Sequence, residues 1–187
     1  MIGRSTPLPA PRREPDVKRL RRFLLPLVLL PMAVESVVPP GTFVQPVMAA
    51  GRRDWNPASF WHGHWGASGV HKGIDIFARE GTPVVAAQSG LVLFTGRIRL
   101  GGNVVLVITP RGWLHYYAHL HGIRTEAGDW LPAGAPVGCV GTSGDAAGRP
   151  AHLHYSVISL VPRPWAIRWT AQGWKRMFYR DPDRLLP

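Results

Sequence analysis

The amino-acid sequence predicts an all-β domain that is built mainly from antiparallel strands and contains little helix. Short runs rich in β-branched and aromatic residues recur along the chain, and turns that contain Gly, Pro or Asn separate them. No segment of ten or more residues shows a convincing apolar period of 3.6 residues, which an amphipathic helix requires. These two observations favour a β architecture over a helical one.

Six runs in the later part of the chain are predicted strands. They are residues 84–87, 91–95, 104–108, 113–119, 137–140 and 153–158. The sequence then becomes rich in Trp and Arg, and we expect residues 162–187 to wrap over one face of the sheet. A chain of 187 residues has room for one domain of this kind and for a tail at each end.

The amino-terminal segment has the layout of an export signal. Basic residues at positions 18–22 precede the mostly apolar run 23–34. This run is short for a membrane span, since a transmembrane helix needs ~20 apolar residues. We interpret residues 1–36 as an export signal or membrane anchor, 37–51 as a linker and 52–187 as the folded domain. A disordered basic tail is the alternative interpretation of the first segment.

Export would place the domain in the periplasm or at the outer face of the cytoplasmic membrane, with the basic flank left in the cytoplasm. On this interpretation the only membrane contact is made by the amino-terminal segment. The single cysteine, Cys139, excludes an intrachain disulfide and therefore does not report the compartment.

The chain carries a clear excess of positive charge. Lys and Arg number 22 against 11 Asp and Glu, and 15 basic and 8 acidic residues remain after position 40. Such a balance favours an anionic partner, for example nucleic acid, acidic lipid or an anionic wall polymer. Because the basic residues are scattered and form no aromatic-and-basic signature, we expect no nucleic-acid binding.

A first candidate site is the pair His71 and Asp75, since both residue types are good zinc ligands. In a straight strand, residues four apart lie ~13 Å from each other, so the chain must bend between them if they share one ion. Gly73 is the expected position of that bend. Taken alone, the pair also fits a solvated loop with no function.

A second candidate is the pair His152 and His154. The period of two in a strand directs both imidazoles to one face and Leu153 to the core. A metal would satisfy two histidines on the inner wall of a sheet, and hydrogen bonds to carbonyl groups are the structural alternative.

The third candidate is His119. Strand alternation predicts that His115, Tyr117 and His119 share one face, while Tyr116 and Ala118 take the other. By itself this pattern is that of an ordinary polar strand face.

Together these motifs resemble the signatures of the lysostaphin-type (LytM-like) zinc metallopeptidases. The motifs His71-Lys-Gly-Ile-Asp75, Tyr117-Ala-His-Leu120 and His152-Leu-His154 occur in the order that this family has. Connecting segments such as Gly138-Cys-Val-Gly-Thr-Ser-Gly144 also fit, and the resemblance covers about residues 68–158. It implies the same β fold as the strand pattern does.

The resemblance implies that His71, Asp75 and His154 hold one zinc ion and that His152 and His119 form a catalytic pair. Two imidazoles and one carboxylate leave an open position for water, as a catalytic zinc requires. The sequence contains no HExxH motif, so no glutamate of that type serves as the base. We expect His152 to accept the proton of the water and His119 to orient the water or to stabilise the oxyanion.

Residues near the first motif are candidates for a substrate groove. They are Trp61, His62, His64, Trp65 and, from the second motif, Tyr117. An exposed loop with no function is an equally good interpretation of the Trp61 to Trp65 segment. Pro150-Ala151 stands where the family more often has Gly-Pro, so the approach to His152 is expected to differ.

The function that the resemblance implies is hydrolysis of peptide bonds in peptidoglycan cross-links or stems by a zinc-dependent endopeptidase. The substrate class comes from the resemblance alone. Two other classes fit the same fold: a non-catalytic LytM-like regulator of another wall hydrolase, and a domain that zinc only stabilises. The presence of all five ligand and catalytic residues favours the enzyme.

Overall fold

The computed structural model describes residue 30 and residues 32–187. Most of the predicted export segment therefore lies outside the described residues. In the part that is described, no helix is long and apolar enough to cross a membrane. A short helix over residues 32–37 precedes the β domain.

Short antiparallel strands form nearly all of the regular structure. They are β1 (Gly63–Trp65), β2 (Gly69–Val70), β3 (Ile74–Phe77), β4 (Pro83–Val85), β5 (Gly90–Ile98), β6 (Gly102–Ile108), β7 (Trp113–Leu120), β8 (Gly122–Ile123), β9 (Trp130–Leu131), β10 (Pro136–Cys139), β11 (His152–Ser159) and β12 (Tyr179–Arg180). The 3₁₀ turns are Pro57–Ser59, Gly66–Ser68, Gly144–Ala146, Pro164–Ala166, Gly173–Met177 and Pro182–Arg184. This content confirms the predicted all-β fold class and the position of every predicted strand.

A seven-stranded sheet is the largest unit. Its strands run in the order β12-β11-β7-β6-β5-β9, and β3 pairs with β11. A second sheet has the order β4-β10-β8, and β1 and β2 form a small hairpin. Strand β11 has β7 along one edge, and β3 and β12 pair with different ends of it. This arrangement brings three distant parts of the chain to β11.

The two faces of the large sheet differ in chemistry because side chains alternate along each strand. One face packs into the hydrophobic core and includes Ile74, Ile76, Val105, Val107, Tyr117, Leu153, Tyr155 and Val157. The other face lines a cleft and includes Asp75, Ile98, Tyr116, Ala118, His152, His154, Ser156 and Ile158. The candidate site therefore lies on the face of the sheet opposite the core.

The segment predicted as a linker is joined to the domain over part of its length. Val47 is fully buried and forms an isolated bridge with Val84 at the edge of β4. The backbone N–H of Val44 donates to the Ala87 carbonyl at 2.9 Å, and that of Val85 donates to the Pro46 carbonyl at 2.8 Å. Residues 43–50 thus act as an added edge segment, because burial of Val47 stabilises this pairing.

The carboxyl-terminal segment does not simply cover a sheet face. Strand β12 extends the sheet at the edge of β11, and Leu186 reaches the hydrophobic core. In the segment between β11 and β12, three tryptophans, at positions 165, 169 and 174, are exposed rather than packed.

Candidate functional site

Three side chains from distant positions converge on one point of the cleft. His71 Nε2 lies 2.9 Å from Asp75 Oδ1 and 3.1 Å from His154 Nδ1. His154 Nδ1 lies 2.8 Å from the same Asp75 oxygen. The three atoms form a compact triangle, and the three side chains are those that the sequence predicted as ligands of one ion.

The register between β3 and β11 explains the contact between Asp75 and His154. These two residues are direct cross-strand partners, and facing side chains in an antiparallel pair have Cβ atoms about 5 Å apart. His154 also faces Ala118 on β7. The small Ala118 side chain leaves the space above His154 open.

His71 joins the pair because the chain bends after β2. Residues 71–73 lie between β2 and β3, with the bend at Gly73, as the sequence predicts. A Cβ atom at Gly73 would lie 2.3 Å from the Tyr155 carbonyl oxygen and 2.5 Å from Ser156 Oγ. Glycine is required here because the backbone passes close to β11.

Hydrogen bonds to the ring nitrogens that face away from the triangle hold the two imidazoles in position. His71 is buried, and its Nδ1–H donates to the Ser59 carbonyl at 3.1 Å, which leaves the Nε2 lone pair directed at Asp75 and His154. Ser156 Oγ lies 3.0 Å from His154 Nε2 and can accept its proton when Nδ1 acts as a ligand. Such outer contacts fix the tautomer and orientation of histidine ligands.

The charge of the triangle also suits a cation. Burial alone would raise the pKa of Asp75, but hydrogen bonds with His154 and His71 outweigh it and hold this pKa well below its ordinary value. Burial lowers the pKa of His154, against the opposing effect of Asp75. The carboxylate is therefore ionised, and burial favours neutral His154, the form that binds a metal.

These atoms fit a divalent metal of the zinc type. Four ligands on a tetrahedron with bonds of about 2.0 Å lie about 3.3 Å apart. The three observed separations fall slightly below that value, so one ion can be shared after small side-chain shifts. Two histidine nitrogens and one carboxylate oxygen form a donor set that zinc prefers, and the cleft side remains open for a further ligand.

Two further histidines lie beside the triangle. The ring centroids of His119 and His152 are 5.0 Å apart, and the His119 and His154 centroids are 6.0 Å apart. His152 Nδ1–H donates to the Pro150 carbonyl at 2.8 Å, and His119 Nδ1–H donates to the Ser143 carbonyl at 2.9 Å. In the neutral form, each ring thus keeps a free acceptor at Nε2.

The position of His119 depends on a break in strand alternation. His119 has a positive φ of 62°, and the register between β6 and β7 shifts between Asn103 and Val105. This bulge turns His119 to the cleft face. A non-glycine residue with positive φ is strained and is often found at functional sites.

The same bulge corrects the prediction for the neighbouring tyrosines. Tyr117 is fully buried in the core, where its hydroxyl accepts a hydrogen bond from the Ala87 N–H at 2.8 Å. It therefore does not line the predicted groove. Tyr116 lines the cleft instead, and burial raises its pKa to about 12. The predicted faces were wrong because regular alternation does not continue through His119.

Of the four predicted groove residues in the first loop, only Trp65 lines the cleft. Its ring stacks on the His71 imidazole, with centroids 4.2 Å apart and planes 22° apart. Trp61 is instead buried with its edge against Tyr179. His62 and His64 are exposed to solvent and outside the cleft lining. The prediction of a groove over the whole loop is therefore too broad.

Several site residues were not predicted from the sequence. Ser156 follows His154 by two positions on one face of β11, so alternation alone could have identified it. Asp145 was not identifiable, because its Oδ1 reaches 3.8 Å from His119 Nε2 only through the fold of the loop after Ser143. Ser59 contributes its backbone carbonyl, and no sequence pattern marks such a contact.

With this fold and donor set established, the comparison with known families is decisive. The sequence model of peptidase family M23 matches residues 69–162, which is half of the chain. The chain belongs to this family. The matched residues contain all five predicted ligand and catalytic side chains.

Individual relatives agree with this assignment. The chain is 36% identical over 115 residues to the L-Ala–D-Glu endopeptidase of Bacillus subtilis. This alignment covers 57% of this chain and 35% of that protein. It is 38% identical over 86 residues to the DD-carboxypeptidase/endopeptidase Mpg of Neisseria meningitidis, covering 46% of this chain and 19% of the relative. The match thus spans about a third or less of these curated relatives.

Solved structures show the same fold. The catalytic domain of the antimicrobial peptidase lysostaphin from Staphylococcus simulans superposes with a TM-score of 0.53 at 27% identity, covering 66% of this chain and 86% of that one. A putative glycyl-glycine endopeptidase lytM from Ruminococcus gnavus gives a TM-score of 0.56 at 23% identity, covering 86% of this chain and 70% of that one. The domain therefore has the lysostaphin/LytM peptidase fold.

Proposed function

We propose that this chain is a zinc-dependent endopeptidase that hydrolyses peptide bonds in peptidoglycan cross-links or stems. The observation that carries the proposal is the convergence of His71 Nε2, Asp75 Oδ1 and His154 Nδ1 within 3.1 Å of one another at an open cleft. The two additional histidines beside this triangle support catalysis rather than a purely structural metal site.

A single zinc ion held by these three side chains would polarise the peptide carbonyl and lower the pKa of a bound water to about 7. The protein supplies an ionised carboxylate, outer hydrogen bonds at both imidazoles and a stacked indole on His71. These contacts support zinc as the cofactor because they preorganise all three ligands.

His152 acts as the general base in this proposal. Its Nδ1–H is occupied by the Pro150 carbonyl, so Nε2 is the free acceptor, and it lies 3.9 Å from Asp75 Oδ2. From this position Nε2 accepts a proton from the attacking water and later returns it to the leaving peptide nitrogen. The neutral form of histidine is required for the first step.

His119 orients the attacking water. Burial lowers the pKa of His119 to about 4, with a further contribution from His154, so the ring is neutral at neutral pH. Because its Nδ1–H already donates to Ser143, the neutral ring presents an acceptor at Nε2. An acceptor can hold a water proton but cannot donate to an oxyanion, which favours the first of the two roles predicted for His119.

The relatives support a peptide bond of the cell wall as the target. Their names specify an L-Ala–D-Glu endopeptidase, a DD-carboxypeptidase/endopeptidase and an antimicrobial peptidase. The cleft has a volume of about 390 Å³, which is in the range of small-ligand binding sites. Export of the domain to the periplasm or to the outer face of the cytoplasmic membrane, as the amino-terminal segment suggests, would bring it to this substrate.

A non-catalytic regulator of another wall hydrolase is the alternative function. The LytM-type fold is compatible with it, since fold does not fix function. The complete set of His71, Asp75, His119, His152 and His154 argues against it, because a regulator has no need of an open ligand position flanked by two bases.

The test is an assay of the purified full chain for bound zinc and for release of peptide fragments from intact sacculi. We expect one zinc per chain and chelator-sensitive release, with mass spectrometry of the fragments identifying the bond. His154→Ala should lose both, whereas His62→Ala, which removes an exposed histidine outside the cleft, should retain both. Metal-free protein that only stimulates a second hydrolase would refute the enzyme and support the regulator.

A further inference from the structure

The segment after β11 carries three exposed tryptophans. In residues 160–176, here called the tryptophan loop, the relative exposures of Trp165, Trp169 and Trp174 are 75%, 103% and 57%. Leu160 and Ile167 in the same loop are also exposed. None of these five side chains lines the catalytic cleft. Several large exposed apolar side chains in one short segment are typical of an interaction surface.

The charge of the tryptophan loop is entirely positive. No acidic residue occurs between Asp145 and Asp181. Arg168 is exposed, and Lys175 lies with its Nζ 5.5 Å from the centroid of the Trp174 ring. A surface that alternates indoles with basic groups fits the interface of an anionic lipid bilayer, where Trp and Tyr are enriched at the level of the headgroups.

The base of this loop is bound to the end of the predicted export segment. Glu35, in the short helix 32–37, pairs with Arg180 of β12. Its carboxylate also accepts hydrogen bonds from Trp113 Nε1 at 3.1 Å and Ser159 Oγ at 3.2 Å. Ser159 is the last residue of β11, directly before the tryptophan loop.

The helix that carries Glu35 exposes apolar side chains of its own. Met32 and Val37 are 48% and 79% exposed, and Leu30 is 66% exposed. The apolar run 23–34 ends in this helix. The end of the apolar run is thus joined, through Glu35, to Ser159 at the base of the tryptophan loop and to Arg180 of β12.

We propose that the tryptophan loop is a second membrane contact, which inserts its indoles at the surface of an anionic phospholipid bilayer beside the amino-terminal segment. This differs from the sequence-based expectation that only the amino-terminal segment meets the membrane. Glu35 and Arg180 fix the two contacts relative to each other. Two contacts restrict rotation of the domain about a single tether and so give the cleft a defined orientation toward the wall.

A glycan strand of the wall is the competing partner for exposed indoles. The observations favour lipid for two reasons. The exposed rings lie outside the substrate cleft, and Ser159, directly before the loop, binds Glu35 at the end of the apolar run. Charge complementarity adds to this, since phosphatidylglycerol headgroups are anionic.

The experiment uses the full chain with one added cysteine that carries an environment-sensitive fluorophore. Trp169→Cys is the test position, and Trp130→Cys is the matched control, since Trp130 is 57% exposed on β9 at the opposite edge of the large sheet. The native Cys139 is buried, so the introduced thiol takes the label. Each protein is mixed with phosphatidylglycerol vesicles that contain a lipid-borne quencher, and the floated fraction is measured.

We expect a blue-shifted emission and at least twofold quenching at position 169, with neither change at position 130. Adding Arg168→Glu and Lys175→Glu should reduce the quenching at 169, and zwitterionic vesicles should do the same. Failure of the chain to float, or equal emission at the two positions, would overturn the proposal. Shielding of position 169 by lipid-free sacculus fragments but not by vesicles would assign the surface to the wall glycan instead.

Discussion

Asp75 and His154 are cross-strand partners on β3 and β11, and their side-chain atoms Oδ1 and Nδ1 lie 2.8 Å apart although the residues are 79 positions apart in the sequence. This relationship links the stability of the sheet to the candidate metal centre. The register that buries Leu153 and Ile76 on the core face also sets the two ligands side by side on the cleft face. A shift of the β3–β11 register by one residue would remove both the core packing and the contact between the two ligands.

Asp75→Asn is expected to abolish stable zinc binding. The substitution keeps the shape of the side chain but removes the negative charge, and we expect zinc affinity to fall by roughly 100-fold or more. Two measurements test this prediction: the zinc content of the dialysed protein, and the release of peptide fragments from sacculi. Glu126→Gln removes one exposed carboxylate away from the cleft and should leave both unchanged. Retention of full activity by Asp75→Asn would contradict the assignment of this ligand.

Gly73→Ala is expected to destabilise the fold and displace His71. The new methyl group would lie 2.3 Å from the Tyr155 carbonyl oxygen, so the bend between β2 and β3 must move. We expect a loss of about 1–3 kcal/mol in the free energy of unfolding. Thermal unfolding and zinc titration measure the two effects. Gly122→Ala, where an added Cβ meets nothing within 4 Å, is the control and should unfold like the parent chain.

His152→Ala is expected to lower kcat by roughly 10²- to 10⁴-fold while zinc content stays near one per chain. The reason is that His152 is the proposed general base but is not among the three convergent ligands. His119→Ala should have a smaller effect on kcat, because it removes orientation of the water rather than the base. If zinc-loaded His152→Ala kept near-normal turnover while His119→Ala did not, the two roles would be exchanged.

The stability of the domain should fall in acid partly because of His115. Burial lowers the pKa of His115 from 6.5 to about 3. Between these values the unfolded chain binds a proton that the folded chain does not, so the contribution of His115 is complete above pH 6.5 and is lost as the pH falls toward 3.

The variant His115→Phe tests this acid sensitivity. We expect a flatter dependence of Tm on pH between about 6.5 and 4 than in the parent chain. The slope of Tm against pH is the quantity to compare between variant and parent. The absolute Tm is not, because loss of the 2.6 Å contact with the Tyr155 hydroxyl lowers stability at every pH. His62→Phe changes an exposed histidine and should leave the slope as it is. An unchanged slope in His115→Phe would show that other groups control the acid transition.

Local patterns predicted the strands, and the resemblance to the lysostaphin-type family selected the site residues among the candidates that these patterns offered. Gly73 marked the bend between two ligands, and the period of two in β11 set His152 and His154 on one face with Leu153 in the core. These features are visible in a sequence because each depends on backbone geometry within a few residues.

Long-range packing decided the remainder. The bulge at His119 put this residue on the cleft face with Tyr116 rather than on the core face with Tyr117, since the register of β6 and β7 depends on pairing between separate strands. Burial of Val47 joined part of the predicted linker to the domain.

The sequence by itself therefore determined the fold class, because strand period is a local property, and it supplied the motifs whose resemblance to the lysostaphin-type family identified the candidate metal ligands. Only the tertiary structure decided that His71, Asp75 and His154 meet within 3.1 Å, that His119 turns into the cleft and that the tryptophan loop is exposed. Each of these outcomes depends on contacts between residues far apart in the chain. The free energies of such contacts cannot be predicted from a short window of sequence.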